Sequence, residues 1–571
     1  MSDRDDPERE RGSAPAGLGL PAAPSGEPPE RDPLPINAVA EAPAPVRRES
    51  VEELATSLFA GTGPPIDVWA IAALLESHGI RDRDAVERFG RNDVFALARA
   101  VQTRLPEPAE AAAAIVRPEP ERPPLRKRLE RFARIYGRGM FFFIPLTLQL
   151  IALLTVGVSQ FAAIHFTNAQ ASEVAVAAAL SFVVTAGFIQ ALGYLSPIYI
   201  ESGKHMLAET VAWTILGLGA LGATVVGLIA LAIIAATGAY PSHDWHLLGG
   251  YYFLLAAQGL VSALLYMLRK FVLMVLATAV ALVVTALVYK HTSLKLYHVH
   301  WIGLSVGIAI QLAIGLVVLH RRAANTKGDM RLARLPRARL LARRAWPFGL
   351  YGFVYFSFLS IDRIVAWAAG SHPLPLWFQT PYELGLDWAL GGIVLALAFL
   401  EITVENFSAM LVPTAERYAV NRIREFNREI SQFWARQLAY VGALAAVGTV
   451  IAIALAVFLH KIGALGAADK VYENPISHYV FGFGIGAYAL LSLGIANAVF
   501  LMSLNRPWRA VAAILPGLVV SLVVGVIFTS HLSYWTAVLG MCAGSGVFAV
   551  LSAWQAWRTL RRADYFNYSA W

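Results

Sequence analysis

The chain has one cysteine, Cys542, in 571 residues, so no disulfide can close within it. Charge is sparse too: Asp, Glu, Lys and Arg make up 15% of the sequence, against roughly 25% in ordinary soluble domains. The opening stretch, MSDRDDPERERG, lacks the basic segment and apolar core of a secretory leader, so the N-terminus is expected to stay in the cytoplasm. No glycine-rich loop ends in a Walker lysine, which argues against ATP hydrolysis by this chain.

What the chain has in excess is apolar residues, 57% of the total, with a mean hydropathy of +0.54. They gather in runs of about twenty, the length a helix needs to cross roughly 30 Å of hydrocarbon. Twelve such spans are expected, at 140–164, 172–197, 211–237, 247–267, 271–290, 300–320, 346–369, 386–412, 434–460, 478–503, 508–529 and 534–557. A strongly cationic stretch, 321–345, lies between the sixth and seventh; nine Lys and Arg fall between Arg321 and Arg344. The fold class expected is therefore an all-α polytopic membrane protein. Its twelve helices would form two six-helix bundles, 140–320 and 346–558, followed by a short cytoplasmic tail, 559–571.

The net charge of +8 does not point to nucleic acid, because Lys and Arg sit in the loops between apolar runs, where they report topology. Alternate loops carry Lys204, Arg269 and Lys270, the central cations, Arg417 to Arg428, Arg506 and Arg509, and Arg558 to Arg562. The intervening loops carry only Lys290, Lys295, Lys461 and Lys470. Both termini are thus expected in the cytoplasm. The Arg-, Ala-, Gly- and Leu-rich composition suggests a bacterial inner membrane.

Ahead of the spans, residues 1–49 lack apolar periodicity and are expected to be a disordered tail. Residues 50–105 change texture. Val51, Leu54 and Leu58 fall at helical spacing, and Asp67 precedes an apolar run that stops at Gly79. Val86 and Phe89 come before Gly90, and Asn92 or Asp93 caps a last helix through Val101. This reads as a small cytoplasmic helical module, either a solubilising appendage or a dock for a synthase or glycosyltransferase. Residues 106–139 form a linker and then a basic amphipathic helix. In it Leu125, Leu129, Phe132, Ile135 and Tyr136 make an apolar stripe among six Arg and Lys, a composition suited to an anionic membrane surface.

An ionisable group inside a span is expensive unless it pairs, snorkels or faces water, so each is a candidate for function. Asp362 and Arg363 lie in the seventh span, and as helix neighbours they point about 100° apart and cannot simply neutralise each other. Glu401 and Glu405 share one face of the eighth. Counting from span centres places Glu401 roughly 10 Å from Arg363 along the membrane normal, within reach through a water. Either these charges are structural, with Arg363 snorkelling outward, or Asp362, Arg363, Glu401 and Glu405 line a hydrated cavity for an anionic or hydroxyl-rich substrate and a coupling cation. Asp387 is expected near the cavity mouth, or serving a helix N-terminus.

Other groups are less pointed. His243 and His246 around Asp244, and His298 with His300, read as interfacial histidines, and no metal or other cofactor is expected. Gln149, Gln160, Gln190, Gln258 and Gln311 either bond between helices or contact sugar hydroxyls. Gly217, Gly219 and Gly222 permit close helix packing.

Two six-helix halves joined by a basic connection resemble the multidrug/oligosaccharidyl-lipid/polysaccharide (MOP) exporter superfamily. Within it, Asp362-Arg363-Ile364-Val365-Ala366-Trp367, then Tyr382-Glu383-Leu384, and Glu401 and Glu405 with Phe407 leading to Tyr418, resemble the Pel exopolysaccharide exporters. The resemblance implies a non-enzymatic transporter. Its halves would rock about a central cavity to move a polysaccharide or lipid-linked glycan, driven by a proton or sodium gradient. Two alternatives stay open: a polytopic glycosyl- or acyl-transferase, and a non-transporting scaffold of a polysaccharide synthase. The first is disfavoured because the longest outer loop, 370–385, offers only Glu383 and His372.

Overall fold

The computed structural model describes residues 50–59, 68–104, 124–141, 143–324, 338–418, 422–463 and 473–568. The expected tail 1–49 and most of the central basic stretch lie outside the described residues. The chain divides into two units, one ending at Pro106 and one beginning at Glu107.

The first unit holds α1 (Val51–Phe59), α2 (Val68–Ser77), α3 (Asp82–Phe89) and α4 (Val94–Gln102). Asp93 accepts a hydrogen bond from the Ala96 amide and caps α4, while the Asp82 carboxylate accepts from the Val94 amide at 2.9 Å and ties α3 to it. Ile71, Leu75, Leu97 and Val101 make a dry core. Gly90 ends α3 at φ +64°, a left-handed cap that suits glycine. Val86 and Trp69 face outward instead of joining this core.

The second unit opens with α5 (Leu125–Phe141) and α6 (Ile144–Val156), followed by α7 (Asn168–Glu201), α8 (His205–Thr237), α9 (Trp245–Met267), α10 (Phe271–His291) and α11 (Leu296–Ala324). Then come α12 (Ala338–Ala368), α13 (Thr380–Arg417), α14 (Ile423–Lys461), α15 (Pro475–Ser503), α16 (Pro507–His531), α17 (Ala537–Leu560) and the short α18 (Ala563–Tyr568). Among the described residues, eleven helices are each long and apolar enough to span a bilayer, and α5 with α6, bent by 49°, makes a twelfth if the pair is one span.

The first span is not the straight helix expected over 140–164. Pro145 has no N–H to donate to a preceding turn, so it begins a new helix. Gly157, at φ +86°, then ends that helix early. A buried hairpin follows, in which the Ser159 amide donates to the Ala162 carbonyl at 2.8 Å.

The outer faces of the helices are apolar. On α8, Leu218, Leu221, Val225, Leu228 and Ile233 are exposed, and on α16 Val519, Leu522, Val523, Val526 and Ile527 are. In water such stripes would drive aggregation; against lipid they are the required surface. Inside, hydroxyls bond to carbonyls of the preceding turn, as Thr185 does to Ser181 and Thr285 to Ala281.

The two halves carry one matching turn. Between α9 and α10, Arg269 takes φ +56° and the Lys270 amide donates to the Leu265 carbonyl. Between α15 and α16, Asn505 takes φ +55° and the Arg506 amide donates to the Leu501 carbonyl. These are the fourth-to-fifth and tenth-to-eleventh spans, as expected of a chain built from two related halves. The halves meet along α7 with α12 and α5 with α13. Gly187 and Gly349 bring α7 and α12 together, and a Cβ on Gly352 would stand 2.6 Å from the Ala186 carbonyl. Among the expected glycines of α8, Gly219 and Gly222 seat the Phe188 ring.

Candidate functional site

The fully buried Asp362 on α12 accepts a hydrogen bond from the Tyr382 hydroxyl of α13 at 2.9 Å, and its other oxygen has no hydrogen-bonding partner. One residue on, Arg363 turns the other way. Its Nε donates to Glu383 at 2.9 Å, one Nη to the Leu359 carbonyl at 3.2 Å and the other to Asp387 at 3.4 Å. Glu383 also accepts from the Trp367 indole at 2.8 Å. The Tyr488 hydroxyl of α15 lies beside the guanidinium. Arg363 therefore does not snorkel: its side chain is 18% exposed and fully committed to acceptors.

Helix geometry produces this arrangement. Arg363 and Trp367 are four residues apart on α12, and Glu383 and Asp387 four apart on α13, so two adjacent stripes meet face to face. Asp387 differs from its neighbours in leaving 67% of its side chain open, although protein surrounds it at longer range. Glu383 and Asp387 thus share one guanidinium, and Asp387 is the more exposed of the two.

Glu401 and Glu405 lie elsewhere on α13. Glu405 forms an ion pair with Arg138 of α5, and the charges nearest Glu401 are Arg138, Arg269 and Glu405. Nothing described joins Arg363 to Glu401 directly. The structure brings together Asp362, Arg363 and Asp387, and groups Glu401 and Glu405 with a cation from the other half of the chain. With the eighth span expected to begin at 386, Glu383 falls in an outer loop; α13 begins at Thr380, which puts Tyr382 and Glu383 on the helix. The signal available was the spacing of Glu383 to Asp387, which matches that of Arg363 to Trp367.

The loop joining α12 to α13 packs back on the first half, where the Phe378 amide donates to Ser172 of α7 at 2.8 Å. His372 stacks on Trp377 and meets the Gln379 amide. Among the described residues no three His, Cys, Asp or Glu side chains converge as a metal site. The buried His300 bonds to Tyr251 at 2.7 Å.

Apolar spans in two halves, with charges buried between helices, define the class: a multi-pass helical membrane protein. The solved structures sharing this fold make it more particular. They include a MOP superfamily transporter from Pyrococcus furiosus, with 15% identity over 75% of this chain and 96% of the other and a TM-score of 0.50. The Vibrio cholerae MATE transporter VcmN matches at 14% identity over 77% and 98%, TM-score 0.53. The eukaryotic MATE transporter AtDTX14 matches at 15% over 78% and 99%, TM-score 0.50. The fold is that of the MATE transporters of the MOP superfamily. No family model matches the sequence, and no curated protein does. These comparisons do not confirm the narrower likeness to the Pel exporters expected from the motifs of α12 and α13.

Proposed function

We propose that the chain is a secondary transporter that moves a polysaccharide or lipid-linked glycan outward across a bacterial inner membrane, coupled to a proton or sodium ion. The observation that carries the coupling is the charge count around Arg363. Glu383 and Asp387 share one guanidinium and Asp362 is its neighbour in the chain, three carboxyl groups against one fixed cation, with Asp387 open and one Asp362 oxygen unpartnered. A site with more acids than bases inside a bilayer is completed by a proton or a small cation.

In this reading the cation enters through Asp387, competes with Arg363 for the carboxylates, and frees the guanidinium to shift between partners. Movement of α13 against α12 then reaches the other half through Glu405 and Arg138, with Glu401 beside them as a second titrating group. The two halves alternate about the shared α7–α12 and α5–α13 contacts. The glycan assignment rests on the resemblance of the α12 and α13 motifs to the polysaccharide exporters. The transferase alternative is weakened because Glu383, its best acid in the outer loop, is held by Arg363 and Trp367.

The test is a paired quantification of extracellular polysaccharide and intracellular lipid-linked glycan in a deletion strain. Loss of surface polymer, restored by the wild-type chain but not by Arg363→Ala or Glu401→Gln, supports the reading. Accumulated lipid-linked glycan would identify a flippase. Unchanged pools, or equal rescue by both variants, would remove the glycan and these two residues respectively. Removing residues 1–120 distinguishes a transporter with an accessory module, which keeps some export, from a scaffold that loses its synthase and its phenotype together.

A further inference from the structure

Away from the charged site, the first half holds four glutamines, Gln160 and Gln311 buried and Gln149 and Gln258 half-buried, whose amides are only half used. Gln149 on α6 donates from Nε2 to Gln160 Oε1 at 3.2 Å; Gln160 sits in the hairpin after α6, held there by the Ser159–Ala162 turn. On α9, Gln258 Nε2 donates to Ser262 at 3.0 Å, and the Ser262 hydroxyl donates to Gln311 Oε1 of α11 at 2.8 Å. Gln160 is 2% exposed and Gln311 fully buried. Yet Gln149 Oε1, Gln160 Nε2, Gln258 Oε1 and Gln311 Nε2 all lack a hydrogen-bonding partner.

The four unused atoms are two acceptors and two donors. Exchanging the O and N ends of both linked amides along each chain preserves that balance, so it does not depend on how the amides are oriented. Gly307 is where the two chains converge. A Cβ at that position would stand 3.4 Å from both Gln160 Nε2 and Gln258 Oε1, so one unused donor and one unused acceptor flank the same glycine. No acid or base belongs to either chain. An ion would satisfy only the acceptors or only the donors, and an apolar guest would leave all four unpaired.

We propose that this glutamine cluster is a binding site for a neutral, hydroxyl-rich molecule, a sugar or polyol, whose hydroxyls donate and accept at once. The site deepens the glycan-transport reading and rests on it for the identity of the cargo. It places recognition of neutral sugar units in the first half, apart from the charged site of the second.

Maltotetraose, a neutral probe, tests this by saturation-transfer NMR on the full chain in lipid nanodiscs. The wild-type chain should transfer magnetisation to the sugar, and Gln160→Leu and Gln311→Leu should weaken its affinity at least about tenfold. Gly307→Ala keeps every glutamine and places a methyl group against the unused donor and acceptor, so it should weaken binding likewise and carries the test if a leucine variant fails to fold. No transfer to the wild-type chain, or equal affinity in Gly307→Ala, would overturn the site. A chain that exports glycan in the paired assay without binding the probe overturns this site alone; probe binding without export overturns the export reading alone.

Discussion

Replacing Arg363 by Met removes the guanidinium that Glu383 and Asp387 share and leaves the neighbouring Asp362 without a nearby cation. The Arg363 and Glu383 side chains are 18% and 10% exposed and meet at 2.9 Å, so this is a buried pair rather than a surface contact. Breaking a buried pair from one side typically costs about 3–5 kcal/mol, because the remaining charge stays out of water. Glu383→Gln keeps a partner for the Trp367 indole and should cost less, about 1.5–3 kcal/mol for the lost charge-assisted bond. The double variant should be more stable than the two losses predict together, with a coupling of about 1–3 kcal/mol. Equilibrium unfolding in mixed SDS and detergent micelles, followed by tryptophan fluorescence, measures all four corners of the cycle. Additive losses, or an Arg363→Met variant within about 0.5 kcal/mol of wild type, would refute the pairing.

Other sites make independent predictions. Arg138→Gln and Glu405→Gln each break the pair between α5 and α13, whose members are 28% and 38% exposed. Stability should fall by no more than about 1 kcal/mol, while glycan export drops sharply if the pair links the halves. Gly352→Val puts a side chain against the α7 backbone and should destabilise by about 1–3 kcal/mol in the same micellar assay. Phe407→Ala empties a fully enclosed ring site beside Phe433 and Phe500 and should cost about 3–5 kcal/mol. Asp93→Ala removes the cap of α4 and should speed amide exchange there by an amount equivalent to about 1 kcal/mol, leaving the spans unchanged.

The spans were legible because lipid demands uninterrupted apolar stretches of a set length, and the nine cations from Arg321 to Arg344, around the junction of α11 and α12, mark the division between the halves. The bend in the first span was not read, although Pro145 and Gly157 carry it; composition alone let the apolar run continue to Ile164. Asp362, Arg363 and Asp387 stood out as charges where charges are expensive. Their partners did not, because pairing depends on the register of two helices, and starting the eighth span at 386 rather than Thr380 removed Glu383 from the helix. Arg138 and Glu405 meet across 267 residues, a contact that no local pattern encodes. The glutamines were visible one by one. The meeting of Gln160 and Gln258 at Gly307 needed the hairpin that carries Gln160, and that hairpin follows from a glycine that ends α6 early.

The most direct test of coupled glycan transport uses the purified chain in liposomes holding a fluorescent lipid-linked oligosaccharide, with a proton or sodium gradient imposed across the membrane. The account predicts translocation that one of these gradients accelerates, and an Asp387→Asn variant that binds the lipid but no longer responds to the gradient. Translocation indifferent to both gradients, or an Asp387→Asn variant as responsive as wild type, would contradict it.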